Sequence, residues 1–200
     1  AALASYPELG CTGGPYVITS QPGVRRDILC AGNPAVFDFV EKVLEEVIGL
    51  FPSKYIHIGG DESPRTRWRE CPECQSLIRR AGLKADTRHS AEDKLQGYFN
   101  TRIEEFLARH GRRLIGWDEI VDGGMSPDAT VMSWRGTAGG IRAADEGFDV
   151  IMSPNSSLYF DYYQSANIDT EPPTIGGYIP LKKVYDTEPV PEELTPEQAR

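Results

Sequence analysis

Residues 55–62 read YIHIGGDE. A β-prone run, Tyr55-Ile56-His57-Ile58, meets two glycines and then two adjacent carboxylates, Asp61 and Glu62. Glycines strip away side-chain cover, so the acids stand open to whatever lies beyond the strand. The same layout recurs downstream. RLIGW at 113–117 runs into Asp118 and Glu119, and ATVMSW at 129–134 runs into Arg135. DVIMS at 149–153 leads to Asn155, Tyr159, Asp161, Tyr162 and Tyr163. These are short apolar runs rather than alternating ones, the pattern of parallel strands covered on both faces. Each delivers acids or aromatics at its C-terminal end, where parallel α/β folds build their sites, in a closed barrel or at a switch point.

Helical segments separate most of these strands. In NPAVFDFVEKVLEEVIGLF, 33–51, Asn33 is an N-cap and Pro34 suits the first turn. Val36, Phe37, Val40, Val43, Leu44, Val47, Ile48 and Phe51 form an apolar stripe, and Pro52 ends it. A second helix is expected from about Ser90 to His110, with Leu95, Phe99, Ile103, Phe106 and Leu107 inward and Gly111 as the stop. TAGGIRAADEGF holds a short third one. The region from about 164 to 200, rich in Pro, Glu and Thr, reads as a long loop with a short helix near 192–199. Strands alternating with helices define the α/β class.

The 200 residues suffice for one good-sized core. A formal net charge of -9 repels phosphate backbones and argues against nucleic acid as a partner. No apolar run is long enough to span a bilayer, and no signal peptide opens the chain. The opening AALASYPEL has no initiator Met and reads as the middle of something longer. Four cysteines, Cys11, Cys30, Cys71 and Cys74, leave several readings open. Cys71-Pro72-Glu73-Cys74 lacks the second pair of a zinc ribbon and follows a polar loop, SPRTRWRE, rather than a redox strand. A mixed metal site using all four, a Cys11–Cys30 disulfide, and a local Cys71–Cys74 staple remain. Trp68 reads as packing or a partner contact, and His89 and His110 as solvated helix residues.

Trp and Tyr beside Asp and Glu, with few basic residues, suit a sugar. Aromatic faces stack on pyranose rings, and carboxylates accept from hydroxyls. A phosphate site would need basic residues or glycine-rich backbone donors, and Gly59-Gly60 alone makes no such fingerprint. Two carboxylates suggest glycoside hydrolysis, whose ordinary forms separate them by about 5 to 9.5 Å across the scissile bond. Adjacent acids fit that poorly, so Asp61 and Glu62 must play different roles. Asp118-Glu119 is a second acid pair, read as a supporting network around the rim. Asp61, Asp118 and Glu119 could instead bind Mg²⁺ for enolate chemistry. Arg135 is readable as a structural ion pair.

HIGGDE at 57–62, GWDEI at 116–120, SWRG at 133–136 and YFD at 159–161, in that order, resemble the catalytic domain of the β-N-acetylhexosaminidases, glycoside hydrolase family 20. AALASYPELGCTGGPY resembles the segment after that family's third barrel strand. The resemblance implies a (β/α)₈ barrel of which this chain holds about strands four to seven, a fragment of a single domain over 1–200. It implies an enzyme that removes terminal non-reducing β-linked GlcNAc or GalNAc with retention, the substrate's acetamido oxygen being the nucleophile. Asp61 would orient the acetamido group and Glu62 would be the general acid. Trp117 and Trp134 would wall the acetamido pocket, Tyr159 would donate to the acetamido oxygen, and Asp161 would bind a sugar hydroxyl. His57 would support the acid pair.

No cofactor is implied, and no metal ligand at the acid site. The expected partners are N-acetylhexosamine-containing glycans, with a periplasmic, extracellular or lysosomal location following from that substrate class. Open barrel edges would favour a homo-oligomer, and the fragment alone could be inactive or a non-catalytic N-acetyl-sugar-binding module.

Overall fold

The computed structural model describes residues 1–21 and 23–200. Its centre is a four-stranded parallel sheet: β1 (Tyr55–His57), β2 (Arg113–Trp117), β3 (Thr130–Ser133) and β4 (Asp149–Met152). Spatial order equals chain order, with Ile56 opposite Leu114, Gly116 opposite Val131, and Val131 opposite Val150. A doubly wound sheet reverses direction at a switch point. This one does not, and its winding is that of part of a barrel. All four C-terminal ends lie on one rim.

The two long helices form where local signals placed them. A single turn, α1 (Ala2–Ser5), opens the chain. Asn33 Oδ1 accepts the Ala35 amide at 3.0 Å and caps α2 (Pro34–Leu50). Its stripe is covered only in part: Val36, Phe37 and Leu44 are buried, whereas Val43 and Phe51 are exposed. A short helix, α3 (Thr66–Glu70), occupies part of the segment expected as a polar loop, 63–70, and α4 (Pro72–Arg80) follows it. Trp68 pulls α3 inward: it is buried, and its indole N–H donates to the Leu29 carbonyl at 2.9 Å. Its role is packing. In α5 (Ala91–Arg109) Ser90 and Asp93 form a reciprocal capping box, and Gly111 follows in the left-handed region at φ +69°. Leu95, Ile103, Phe106 and Leu107 face the core.

The β2–β3 connection carries no α-helix. A 3₁₀ stretch, Asp118–Gly123, takes its place, pressed onto α5 so closely that a Cβ on Gly97 would stand 2.2 Å from the Gly123 carbonyl oxygen. After β3 come α6 (Ala138–Asp145), β4 and α7 (Asn155–Leu158). Burial departs from the two-sided expectation at the sheet's edges. Exposed residues alternate in β1 and β4, and only β3 is mostly buried on both faces.

The short helix expected near 192–199 is not formed. That stretch makes two separate turns, closed by the Leu194 amide on the Pro191 carbonyl and the Ala199 amide on the Thr195 carbonyl, and a helix forms instead at α8 (Leu181–Tyr185). His89 lies in the loop before α5, within 3.4 Å of Asp86, rather than on a helix. His110 Nδ1 lies 2.9 Å from the Phe106 carbonyl oxygen. No helix among the described residues is long and apolar enough to cross a membrane.

The cysteines settle differently from a single pairing. All four are free thiols, with no Cys11–Cys30 disulfide and no separate Cys71–Cys74 staple. Their sulfurs converge within 4.8 Å of one another.

Candidate active site

The turn after β1 is built from three special conformations within four residues. Gly59 and Gly60 have φ of +77° and +89°, and Glu62, which has a side chain, is held at φ +43°. Non-glycine residues in this region are strained and collect at functional sites. Asp61 comes out half-buried and Glu62 exposed. Gly60 has no alternative: a Cβ there would meet Ile120 Cγ2 at 2.6 Å, and Ile120 is fully buried. The same methyl fills the space over Gly116, so Ile120 locks the end of β1 against β2.

From the other side, Gln96 on α5 donates to the Gly60 carbonyl at 2.7 Å. Arg65 donates to Gln96 Oε1 and to the Ser63 carbonyl, and it pairs with Asp93 at 2.8 Å. This brace was not singled out in the sequence. The sequence carried little signal for it: Gln96 and Asn100 are polar residues of α5, and their burial follows from packing.

His57 Nδ1 accepts the Gly59 amide at 3.0 Å, which places the ring's proton on Nε2 in the neutral form. Burial lowers its pKa, partly offset by the nearby Asp61 charge. Its ring meets Trp117 edge-on, with centroids 4.9 Å apart. Trp134 instead stacks on Tyr159, at 6.3 Å and 16°. The two tryptophans therefore belong to separate aromatic pairs, Trp117 at the end of β2 and Trp134 just after β3.

Asp118 and Glu119 hold this geometry from below. Asp118 is buried and accepts from the Trp134 and Arg135 amides at 3.1 and 3.2 Å and from Arg135 Nε at 2.6 Å. Glu119 accepts the Trp134 indole N–H at 3.0 Å and lies 3.6 Å from Arg135. Burial raises the Glu119 pKa, against the opposing pull of the Trp134 hydrogen bond and the Arg135 charge. The second acid pair thus serves as the clamp orienting Trp134, and Arg135 is its counter-ion. Asp61, Asp118 and Glu119 do not form an ion site: among the described residues the cysteines are the one cluster of potential ligands close enough together.

Tyr159 follows α7, which is tied back by the Asn155 amide on the Trp134 carbonyl at 2.8 Å. Burial raises its phenol pKa, and the charges of Asp161, Asp61 and Glu119 add to that. The tyrosine therefore sits in the field of the acids on β1 and β2. Tyr162 packs edge-on against it at 5.8 Å, and the chain near Gly177 packs on Tyr162 so tightly that a Cβ would clash at 2.2 Å. The long loop, through its Tyr163–Tyr178 bridge, buttresses the rim. Asp161 is exposed at its outer edge.

A parallel sheet wound as a barrel, with acids and aromatics gathered on its C-terminal rim, is the layout of a barrel enzyme. The chain belongs to glycosyl hydrolase family 20, whose catalytic domain it matches over residues 1–200. It is 49% identical to a beta-hexosaminidase of Porphyromonas gingivalis over its whole length, which is 25% of that relative. Among solved structures it resembles the Flavobacterium johnsoniae chitobiase, with TM-score 0.77 and 28% identity, covering 98% of this chain and 28% of that one. It also resembles the exo beta-N-acetylglucosaminidase of Vibrio harveyi in complex with N-acetylglucosamine, with TM-score 0.76 and 30% identity, covering 99% of this chain and 31% of that one. The chain spans about a fifth to a third of the length of the curated relatives it matches.

Proposed function

We propose that these residues form the acid-bearing part of an enzyme that releases terminal β-linked N-acetylhexosamine by a retaining, substrate-assisted route. The observation that carries the reading is the turn after β1: two left-handed glycines and a strained Glu62 present two adjacent acids in different surroundings. Family 20 is an exception to the two-carboxylate scheme, with the nucleophile supplied by the substrate. In the first step the acetamido oxygen bonds to the anomeric carbon as the glycosidic C–O bond breaks. Glu62 gives its proton to the leaving oxygen. Asp61 orients the acetamido group and stabilises the positive charge on its nitrogen. In the second step Glu62 takes a proton from water, whose oxygen attacks the anomeric carbon and opens the oxazolinium ring. Two displacements restore the original configuration. Trp134, with Tyr159 stacked beside it, and Trp117 wall the acetamido group, Tyr159 donates to its oxygen, and Asp161 binds a ring hydroxyl. Such glycans place the protein in a periplasmic, extracellular or lysosomal setting.

The reading includes closure of the barrel by further strands. An apolar groove of about 1080 Å³ runs beside β1, lined by Val40, Val43, Val47, Ile56, Ile58 and Phe99. The unpaired edge of β1 and this groove suit additional strands of the same domain. A second copy is the other occupant, visible as a dimer by sedimentation. The test is hydrolysis of an aryl β-N-acetylglucosaminide by the complete enzyme beside Asp61→Ala. An activated phenol leaves with little help, so the assay reads acetamido participation more than acid catalysis. A loss of about two orders of magnitude or more, about 2.7 kcal/mol, is expected. Near wild-type turnover would refute the role given to Asp61. Binding of N-acetylglucosamine without hydrolysis by the wild type would favour a sugar-binding module instead.

A further inference from the structure

Cys11, Cys30, Cys71 and Cys74 take no part in the reaction above, yet the fold assembles them at one point. Cys30 Sγ lies 3.6 Å from Cys71 Sγ and 3.6 Å from Cys74 Sγ, across 41 and 44 residues of chain. Cys11 Sγ lies 3.9 Å from Cys74 Sγ, 63 residues away, and all four sulfurs fall within 4.8 Å of one another. A tetrahedral ion with metal–sulfur bonds of about 2.3 Å sets sulfur–sulfur edges of about 3.8 Å. The contacts match that figure, whereas a disulfide requires about 2.05 Å. An iron–sulfur cluster, with sulfides bridging several irons, would spread the four thiolates farther apart than a single ion does.

We infer that the four cysteines form a closed, structural Zn²⁺ site that fastens the first 31 residues to α3 and α4. The local backbone is built for it. An antiparallel bridge between Gly10 and Leu29, with the Cys30 amide on the Leu9 carbonyl at 2.8 Å, sets Cys11 and Cys30 side by side. Cys71 caps α4 and Cys74 sits in its first turn. Gly32 lets the two segments close up: a Cβ there would lie 2.4 Å from the Cys74 amide nitrogen.

Cys30, Cys71 and Cys74 are buried at 1%, 4% and 0% exposure, and Leu9, Ala31, Val36 and Ile78 pack in the same cluster. With four protein ligands and no open position, the site suits structure rather than catalysis. Soft thiolate donors select zinc over magnesium or calcium. Glu73 Oε2 lies 3.5 Å from Cys30 Sγ but belongs to an exposed side chain free to turn to water. The bolt lies next to the acid turn, because α3 starts four residues after Glu62 and Arg67 on it pairs with Asp27 at 2.6 Å.

The test is metal and thiol content of the complete protein, purified under reducing conditions and dialysed against zinc chloride and then metal-free buffer. One zinc per chain by elemental analysis is expected. The four thiols should be unreactive to a thiol reagent until a strong chelator is added, and thermal stability should fall on chelation. Cobalt(II) in place of zinc should give the visible bands and thiolate-to-metal charge transfer of a tetrahedral tetrathiolate. Cys11→Ser, at the least buried corner, should lose zinc affinity while remaining folded. This readout is independent of activity, so it stands or falls apart from the hydrolase reading. Intact masses showing two disulfides, iron as the bound metal, or four reduced thiols that take up no zinc would each overturn the assignment.

Discussion

Replacing Gly60 by alanine tests the construction of the acid turn. At φ +89° an L-residue carries a left-handed backbone cost of about 1–2 kcal/mol. The added Cβ would also stand 2.6 Å from Ile120 Cγ2. That methyl cannot yield, because Ile120 is fully buried and β-branched and so stiff at χ1. Overpacking of this kind costs about 1–3 kcal/mol. Together they predict a loss of about 2–5 kcal/mol. In a domain of this size that lowers Tm by about 4–20 °C. Gly59→Ala is the control. Its φ is +77°, but its Cβ meets only Asp61 Oδ1, at 3.4 Å, so only the backbone cost of about 1–2 kcal/mol applies. Ile120→Leu removes Cγ2 and should recover part of the Gly60→Ala loss, but none of the Gly59→Ala loss. Because Gly60 precedes Asp61, turnover by the folded Gly60→Ala protein should drop by about tenfold to a hundredfold. The assays are urea unfolding of the complete domain and hydrolysis of the aryl glycoside. Equal losses for the two alanine variants, or no recovery with leucine at 120, would refute the reasoning.

Two further outcomes follow from the braces around this turn. Gln96→Leu leaves the Gly60 carbonyl without its donor and removes one of the three acceptors of Arg65, and should cost about 1–3 kcal/mol by denaturant unfolding. Gln96→Glu keeps the acceptor for Arg65 but not the donor to Gly60, so the difference between the variants isolates the bond to the turn. Glu119, whose folded pKa is raised above its ordinary 4.5, binds its proton more readily in the native state than unfolded. Its contribution is therefore fully present below the unfolded pKa and is lost as pH rises from about 4.5 through the folded value. The stability of wild type relative to Glu119→Gln, from urea midpoints at several pH values, should fall across that window. A flat difference would show that Glu119 titrates as an ordinary carboxylate.

Much of the scaffold was legible along the chain because its signals are local. Asn33-Pro34 and the Ser90–Asp93 box mark helix starts within a turn of where they act. RLIGW is a strand over the expected residues. The α3 helix was missed because its one apolar anchor, Trp68, stands among charges, and only the Leu29 carbonyl that meets its indole makes it a core residue. The helix near 192–199 was over-read from composition.

At the site, strand order along the chain is enough to say which chemistry reaches the rim. In parallel strands the residues after each run emerge at the same end, so Asp61, Glu62, Trp117, Trp134, Tyr159 and Asp161 could be placed there from strand order alone. How they are held depends on packing between distant segments. The strain at Glu62, the Gln96 donor beneath Gly60, the Asp118–Arg135 pair and the Trp134–Glu119 bond join residues distant in the chain or depend on backbone torsions set by packing. The four cysteines show the same division most plainly. Spacing left a disulfide, a staple and a metal site open, because sulfur–sulfur distances follow from how the α4 helix meets the first 31 residues, a relation that chain neighbours do not encode.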